Sequence, residues 1–484
     1  MGIHELILPF NLKMVHHSFM SGEKQKYDVA IIGAGFCGTL VAVNLAMSGI
    51  PLRVALIERN RVHGRGLAYG TGDYKHLLNV RADQMGAFPW DIGHFYRWVT
   101  ANAASLTAAN LGQPDPGAYL PRRVYGEYIQ ALLKESLRQN PRMELLHDQV
   151  VRVVPNAGGV YFITGKNGLE AAAKSVVLAP GNFPPAAQAQ NAPWYKNDAY
   201  SPDTLRELAE PGDVLIIGSG LTSLDVLATL EHTKKDGHIH VLSRRGLFPQ
   251  VHQKHAASAP FLDANHLPAT TRELVRQVRG QIRQAEEQGT DWRPVIDSMR
   301  PFHALIWRNL PRNEQRRFLR HVQGLWDTHR HRCAPEIMQV KARLEQEGRL
   351  TCHQGRIQNL NPESGAVEII YQPRRLMQPR KIRVSKILNC TGPQSNYQKL
   401  GDPLIRQLLA DDLLAPDPLN MGICTDHQGT VQNARGLAIP RLYTLGSNRR
   451  GGLYESIAVP ELRAQAAEVA RQILSHHQYE THPT

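Results

Sequence analysis

Short apolar runs that end in glycine alternate along this chain with longer segments of helical composition. Residues 27–33 form one such run, residues 36–48 follow as a helical segment, and residues 52–57 form a second apolar run. A run this short and this uniformly apolar is typical of a strand buried in a parallel sheet. The pattern therefore predicts a strand–helix–strand unit near the start of the chain and an α/β fold for the whole.

The same pattern returns after a proline- and alanine-rich stretch at residues 184–202. Residues 213–217 and 239–242 predict strands, and residues 221–230 predict the helix between them. Two Rossmann-like dinucleotide-binding domains are therefore expected. Their predicted bounds are 25–200 for the first part of one domain, 201–391 for the second domain and 392–478 for the remainder of the first.

Within the predicted second domain, residues 255–347 are rich in Arg, Gln, Glu and Leu and have few strand formers. This composition predicts a helical insertion. Its helices are expected near 271–288, 301–309, 312–325 and 335–347. A strand at 441–446 and a helix from residue 456 are expected to complete the first domain.

The turn after the first strand has the glycine spacing of a dinucleotide site. Gly33 permits the tight turn, Gly35 lets backbone approach a pyrophosphate, and Gly38 allows the helix to pack closely on the strand. Glu58 ends the second strand, where a carboxylate can accept hydrogen bonds from ribose hydroxyls. An acid there suits the unphosphorylated ribose of FAD. The expected FAD contacts of this unit are Gly33, Ala34, Gly35, Phe36, Cys37, Gly38, Glu58 and Arg59.

The second unit has a different residue at the end of its second strand. Its turn carries Gly218, Gly220 and Ser223, and Arg244 and Arg245 stand where the first unit has an acid. An acid would repel the 2′-phosphate of NADPH, whereas guanidinium groups bind phosphate through two parallel hydrogen bonds. These five residues are therefore the predicted NADP(H) contacts. A solvated basic turn is the alternative.

Several longer strings identify a family. They are Gly64–Gly70, His76–Ala82, Pro121–Gly126 and Asn389–Pro393. With them, the chain from Tyr27 onward resembles a large group of bacterial FAD/NAD(P)-binding proteins related to flavin monooxygenases and amine N-hydroxylases. The resemblance implies the two-dinucleotide-domain fold, FAD and NADP(H) as cofactors, and an oxidoreductase activity. It does not imply a substrate.

The resemblance also adds expected contacts outside the two turns. Strand ends such as that of residues 176–181 resemble the connectors of two-dinucleotide-domain flavoproteins, and a late strand ending in glycine closes the FAD domain in that class. The further cofactor contacts expected on this ground are Val150, Gly181, Gly446 and Glu455. Asn79 and Arg81 are the candidate catalytic residues, at the flavin edge or against an anionic substrate. Hydrogen bonds that stabilise the loop are the alternative for both.

Cysteine usage narrows the chemistry. Five cysteines occur and none forms a C-x-x-C pair, so a disulfide reductase is not indicated. The Baeyer–Villiger pattern F-x-G-x-x-x-H-x-x-x-W is also absent, and Asn182-Phe183-Pro184-Pro185 stands in its place. We expect no metal site, because His329 and His331 lack further ligands nearby in sequence. No apolar run is long enough to span a bilayer, and a cytoplasmic location is expected.

Net charge favours anionic partners. The chain carries +13, and residues 244–350 hold 19 Lys or Arg against 11 Asp or Glu. The basic strings 316–321 and 326–332 fit three interpretations: a solvated helix face, a surface for acidic substrate or cofactor phosphates, or a nucleic-acid patch. The last is the least favoured.

These features predict a flavin monooxygenase, with N-hydroxylation as one possibility, that takes hydride from NADPH and acts on a small polar or anionic substrate. An NAD(P)H-dependent flavin reductase or oxidase is the alternative within the same class. A flavin-containing binding or sensor protein, whose basic insert engages RNA or an acidic protein, is the alternative from another class.

Overall fold

The computed structural model describes residues 25–103, 115–189 and 192–481. Its first sheet has the strand order β14-β15-β6-β1-β2-β3, with β4 and β5 as a hairpin attached to β6. Pairing is parallel from β15 through β3. The strands are β1 (Gln25–Ile32), β2 (Val54–Glu58), β3 (Met143–His147), β4 (Val150–Pro155), β5 (Tyr161–Gly165), β6 (Glu170–Leu178), β14 (Thr430–Gln432) and β15 (Ala438–Thr444).

The second sheet has the order β12-β11-β10-β9-β8-β13-β7. Strands β10 to β7 pair in parallel, and β10, β11 and β12 form an antiparallel meander. The strands are β7 (Tyr195–Lys196), β8 (Val214–Ile217), β9 (Ile239–Ser243), β10 (Leu350–Glu363), β11 (Ala366–Pro373), β12 (Arg380–Val384) and β13 (Lys386–Asn389). The chain thus leaves the first sheet after β6, builds the second, and returns for β14 and β15.

Helices cover both sheets, and five more form the insertion between β9 and β10. Those of the first sheet are α1 (Phe36–Met47), α2 (Gly66–Tyr69), α3 (His94–Ala101), α4 (Arg122–Gln139), α13 (Pro403–Ala410), α14 (Arg450–Leu453) and α15 (Val459–Thr481). Those of the second sheet are α5 (Pro202–Ala209), α6 (Leu221–Thr233) and α12 (Pro335–Gln346). The insertion holds α7 (Thr271–Glu287), α8 (Arg293–Ser298), α9 (His303–Asn309), α10 (Arg312–His321) and α11 (Gln323–Arg330).

The helix α1 is buried on nearly all sides because its sequence has no charged residue. Leu40, Val41 and Leu45 are completely buried, and the helix packs between α4 and α15. The first glycine turn therefore leads into a helix that is buried along most of its length.

Two predicted helices differ from the observed ones. The helix expected at 312–325 is two helices, α10 and α11, because α10 ends at His321 and α11 begins at Gln323, with Val322 as the residue between them. The helix expected from residue 456 begins at Val459, since residues 454–458 form an irregular segment. In the described ranges no helix combines the length and apolar character needed to cross a membrane.

Candidate functional site

The first glycine turn is shaped by close contacts between backbone atoms. Gly33 has a φ of +103°, and a Cβ on it would overlap the carbonyl oxygen of Ala179. A Cβ on Gly38 would overlap the carbonyl oxygen of Gly33. No side chain of the described residues caps the start of α1, so its first N–H groups are free to bind an anion.

Glu58 lies against this turn. Its Oε2 accepts a hydrogen bond from the backbone N–H of Ala34 at 2.8 Å, and its Oε1 accepts from the backbone N–H of Asn60 at 3.0 Å. Arg59 next to it is exposed. The predicted ribose acid and the predicted pyrophosphate turn are therefore adjacent.

Residues 64–70 lie over the turn. The N–H of Gly64 donates to the carbonyl of Ala34 at 2.8 Å. Gly66 has a φ of +61°, and a Cβ on Gly35 would come within 3.4 Å of the Gly66 Cα. Because Gly35 has no Cβ, the backbone of Gly66 can pack directly against the backbone of Gly35. The first turn is covered by its own chain.

The end of β15 completes the same region. A Cβ on Gly446, whose φ is +78°, would lie 3.0 Å from the Cys37 Sγ at the start of α1. The Gly446 N–H donates to Gln465 Oε1 at 2.9 Å, and Ser456 Oγ donates to the Gly446 carbonyl at 2.6 Å. Gly181, with a φ of +72°, follows β6 two residues beyond Ala179. The structure thus brings Gly33, Cys37, Gly181 and Gly446 to one end of the first sheet.

The second glycine turn has the same backbone shape in different surroundings. Gly218 has a φ of +110°, and a Cβ on it would lie 2.5 Å from the Cys390 carbonyl oxygen. A Cβ on Gly220 would meet no described atom within 4 Å. Ser223 is buried, and its Oγ donates to the Gly218 carbonyl at 2.9 Å. This turn is open, and the start of α6 has no side-chain cap among the described residues.

The two arginines after β9 point in different directions. Arg244 is exposed, and no hydrogen bond or ion pair to the described residues engages its guanidinium. Arg245 Nη2 donates to the carbonyl of Arg320 at 2.7 Å. Of these two arginines, Arg244 is therefore the one whose guanidinium has no partner among the described residues.

Of the two candidate catalytic residues, Asn79 contacts the second domain through its backbone, and Arg81 pairs with a residue of its own loop. The carbonyl of Asn79 accepts a hydrogen bond from His252 Nε2 at 2.9 Å. Arg81 forms an ion pair with Asp83 at 2.5 Å, which raises the pKa of the guanidinium. The ion pair of Arg81 corresponds to the alternative in which this residue stabilises its loop. Asn79 is half-buried.

Val150 and Glu455 are both buried away from solvent. Val150 is part of the apolar core beneath the first sheet. The Glu455 carboxylate faces the insertion, where Oε1 accepts from Trp326 Nε1 at 2.7 Å and Oε2 lies 3.4 Å from His331 Nε2. Burial would raise the pKa of Glu455, but its interactions with His331 and Arg330 outweigh the burial and lower that pKa.

The basic string 326–332 therefore belongs largely to the interior. Arg330 lies 3.5 Å from Glu461, and the buried Arg332 pairs with Asp297. The string 316–321 differs, because Arg316 and Arg320 are exposed. Among the described residues no group of three His, Cys, Asp or Glu side chains could hold a metal ion.

A buried polar junction between the domains escaped the sequence analysis. Arg122 of α4 lies 3.1 Å from Asp225 of α6, and these side chains are 12% and 4% exposed. Tyr200 donates a further hydrogen bond to Asp225 at 2.9 Å. A single acid in the largely apolar segment Leu224–Leu230 was the available signal, because such an acid needs a partner when it is buried.

His76 forms a second part of this junction. Its ring nitrogens lie 2.7 Å from Thr71 Oγ1 and 2.9 Å from Thr229 Oγ1. Burial lowers the pKa of His76, and the residue is completely enclosed. Its role in the structure is to join the first domain to α6.

The insertion has an aromatic core that also includes Tyr454 of the first domain. Trp307 and Tyr454 have ring centroids 4.8 Å apart, and Trp307 Nε1 donates to the Gly451 carbonyl at 2.7 Å. His303 lines the same cluster with both ring nitrogens buried and without a hydrogen-bond partner among the described residues. Burial lowers its pKa to about 3.

All five cysteines are free thiols. Burial raises the pKa of Cys37 and Cys390 to about 12 and that of Cys333 to about 11, and local desolvation of the thiol raises the pKa of Cys352 to about 12 although this residue as a whole is exposed. Burial also raises the pKa of Cys424. Since a reactive cysteine requires a lowered pKa, none of these thiols has the character of a redox nucleophile.

Comparison with known proteins identifies a matching sequence family and solved structures of similar fold. Residues 30–183 match the sequence family described as FAD-NAD(P)-binding. No curated protein matches the sequence. Among solved structures, L-lysine 6-monooxygenase from Pseudomonas syringae is similar with a TM-score of 0.66 and 16% identity, over 93% of this chain and 99% of that one.

Two other solved structures show the breadth of the likeness. The cadaverine monooxygenase DfoA from Erwinia amylovora, solved with FAD, matches with a TM-score of 0.65 and 11% identity, over 93% of this chain and 95% of that one. The bacillithiol disulfide reductase Bdr from Staphylococcus aureus matches with a TM-score of 0.55 and 12% identity, over 93% and 99%. The predicted two-dinucleotide-domain fold is thus confirmed, and at these identities the likeness concerns the fold.

Proposed function

We propose that the protein is an FAD-dependent, NADPH-using flavin monooxygenase that acts on a small polar or anionic molecule in the cytoplasm. The contrast between its two glycine turns carries the proposal. One turn is covered and has an acid beside it, which suits a resident FAD. The other is open and has the free guanidinium of Arg244 beside it, which suits an exchanging NADPH.

The chain's own groups suffice to bind both nucleotides. The free N–H groups at the start of α1 would hold the FAD pyrophosphate, and Glu58 would accept from its ribose hydroxyls. The start of α6 and Arg244 would hold NADPH in the same manner. Bound FAD would supply the hydride-accepting and dioxygen-reactive chemistry that no side chain provides.

A monooxygenase is preferred to a disulfide reductase because all five thiols are unpaired and each has a raised pKa. Amine N-hydroxylation is the reaction to test first, because two of the similar structures are named as lysine and cadaverine monooxygenases. In that reaction an amine, dioxygen, NADPH and a proton give a hydroxylamine, water and NADP+.

The test is anaerobic titration of the FAD-loaded protein with NADPH, followed by oxygen and a panel of diamines and amino acids. We expect NADPH to bleach the flavin absorbance, and one substrate to yield hydroxylamine in proportion to NADPH consumed. Hydrogen peroxide as the sole product with every substrate would favour a flavin reductase or oxidase. Failure of NADPH to bleach the flavin would contradict the two-nucleotide scheme.

Arg244→Gln tests the choice of nucleotide separately. Loss of a charged hydrogen bond costs about 1.5 to 3 kcal/mol, so the Kd of NADPH should rise about 10- to 100-fold. The Kd of NADH should hardly change, because NADH lacks the 2′-phosphate. Equal effects on the two nucleotides would contradict the assignment of Arg244.

A further inference from the structure

The helix α11 contacts both the turn after β9 and the segment that follows Gly446 in the first domain, although it has only eight residues. Gly324 in its first turn lies against the Arg245 guanidinium, so closely that a Cβ there would overlap Nη1. The preceding helix α10 ends at His321, and the carbonyl of Arg320 in its last turn accepts the hydrogen bond from Arg245. A cation at the carbonyl end of a helix is favourably placed.

The other side of α11 holds the segment that closes the first domain. Trp326 donates to Glu455 at 2.7 Å, and Asp327 accepts from the Tyr454 hydroxyl at 3.2 Å. Glu455 and Tyr454 are 6% and 5% exposed. Movement of α11 would therefore leave a buried carboxylate without its indole donor, which is costly.

The backbone conformation of Tyr454 indicates that neighbouring residues hold this segment in place. It has a φ of +61°, a conformation that is strained for a residue with a side chain. The aromatic contacts with Trp307 and the hydrogen bond to Asp327 come from the insertion. The insertion therefore helps to fix the backbone at the end of the first domain.

We propose that α11 couples the two nucleotide sites, with Arg244 as the phosphate contact and its neighbour Arg245 as a positioning residue. This inference rests on the proposed function of the second turn. A phosphate bound by Arg244 orders the turn after β9, Arg245 transmits that order to α11, and α11 transmits it to Glu455 and Tyr454. Coupling of this kind is reciprocal, so FAD must change the affinity of the second site by the same factor.

The experiment is a binding cycle with adenosine 2′,5′-bisphosphate, a fragment that carries the 2′-phosphate. Its Kd is measured by calorimetry on the FAD-loaded and FAD-free full-length protein. For the natural sequence we expect at least about a fivefold difference between the two Kd values, the lower end of typical coupling. Hydrogen exchange of residues 446–458 should also slow when the fragment binds.

Gly324→Ala and Arg245→Gln should bring the ratio of the two Kd values close to one and abolish the exchange effect. Gly324→Ala is the sharper variant, because alanine favours the helix but displaces Arg245. Gly280→Ala in α7 is its matched control, since a Cβ there would meet no described atom within 4 Å. The control should keep the natural ratio.

The outcomes separate the two proposals. A fragment that binds equally with and without FAD contradicts the coupling and leaves the proposed function standing. A ratio that survives in both Gly324→Ala and Arg245→Gln contradicts the path through α11. A fragment that does not bind at all contradicts NADPH use, and the coupling fails with it.

Discussion

The two glycine turns share their backbone shape and differ in what surrounds them. Gly33 and Gly218 have nearly the same φ, and each passes close to a carbonyl of a neighbouring strand end. The first turn is covered by residues 64–70, whereas the space beside Gly220 is open. Under the proposed function the same structural unit would hold a resident cofactor in one domain and an exchanging one in the other, and the loop beside the turn would make the difference.

The largest expected effect concerns the junction that fixes the second turn relative to the first. Arg122→Met leaves Asp225 buried without its cation, which costs about 3 to 5 kcal/mol. The free energy of unfolding, from urea titration, should fall by that amount. The double variant Arg122→Met/Asp225→Leu should recover much of the loss, and no recovery would show that the pair is not the cause.

The next effect tests the covered turn. In Gly33→Ala the Cβ would overlap a backbone carbonyl in addition to the positive φ, so we expect a loss of about 3 kcal/mol in unfolding free energy and loss of FAD. Gly49→Ala is the control, because Gly49 has a φ of +71° with open space around it. The control should lose only about 1 to 2 kcal/mol. Equal losses would contradict the packing argument.

The next effect concerns the aromatic core that joins the insertion to the first domain. The pH dependence of the unfolding free energy should show the burial of His303 in this core. His303 has a folded pKa near 3 and an unfolded value near 6.5, so the unfolded chain binds the proton more readily. Stability is therefore lost as pH falls below 6.5, at about 1.4 kcal/mol per pH unit. Between pH 7 and pH 5, His303→Leu should lose about 2 kcal/mol less than the natural protein. Parallel urea-midpoint profiles for the two proteins would contradict this.

The smallest effect tests the open turn. Gly220→Ala should leave the melting temperature unchanged, because its φ of −85° suits alanine and no described atom is within 4 Å of the new Cβ. The Kd of NADPH should nevertheless rise about tenfold, about 1.4 kcal/mol, as the methyl group enters the pyrophosphate position. An unchanged Kd would mean that NADPH does not lie against this turn.

Much of the fold could be predicted because each strand–turn–helix unit is encoded locally. The apolar runs before Gly33 and Gly218 predict the strands that end there. At both positions the backbone passes so close to a carbonyl oxygen that only glycine fits. The different roles of Arg244 and Arg245 could not be predicted. These two neighbouring arginines have different surroundings because Arg245 contacts α10 and α11, and both helices are distant from it in sequence.

The insertion shows the same limit. Its basic string 326–332 indicated a surface, because charge in a sequence usually marks solvent exposure. In the folded chain Glu455 and Glu461 lie opposite this string and enclose it. These two partners lie more than a hundred positions further on and Asp297, the partner of Arg332, lies in an earlier helix, so the local pattern had no information about them.

The ion pair between Arg122 and Asp225 also limits how such a protein can evolve. A second domain taken from another protein would have to bring an acid at the position of Asp225 or leave Arg122 buried and unpaired. The second domain therefore cannot be exchanged for the domain of another protein without a matching acid. If Arg244 binds the 2′-phosphate as proposed, point substitutions at this exposed residue could change the preferred pyridine nucleotide without disturbing the buried junction between the domains.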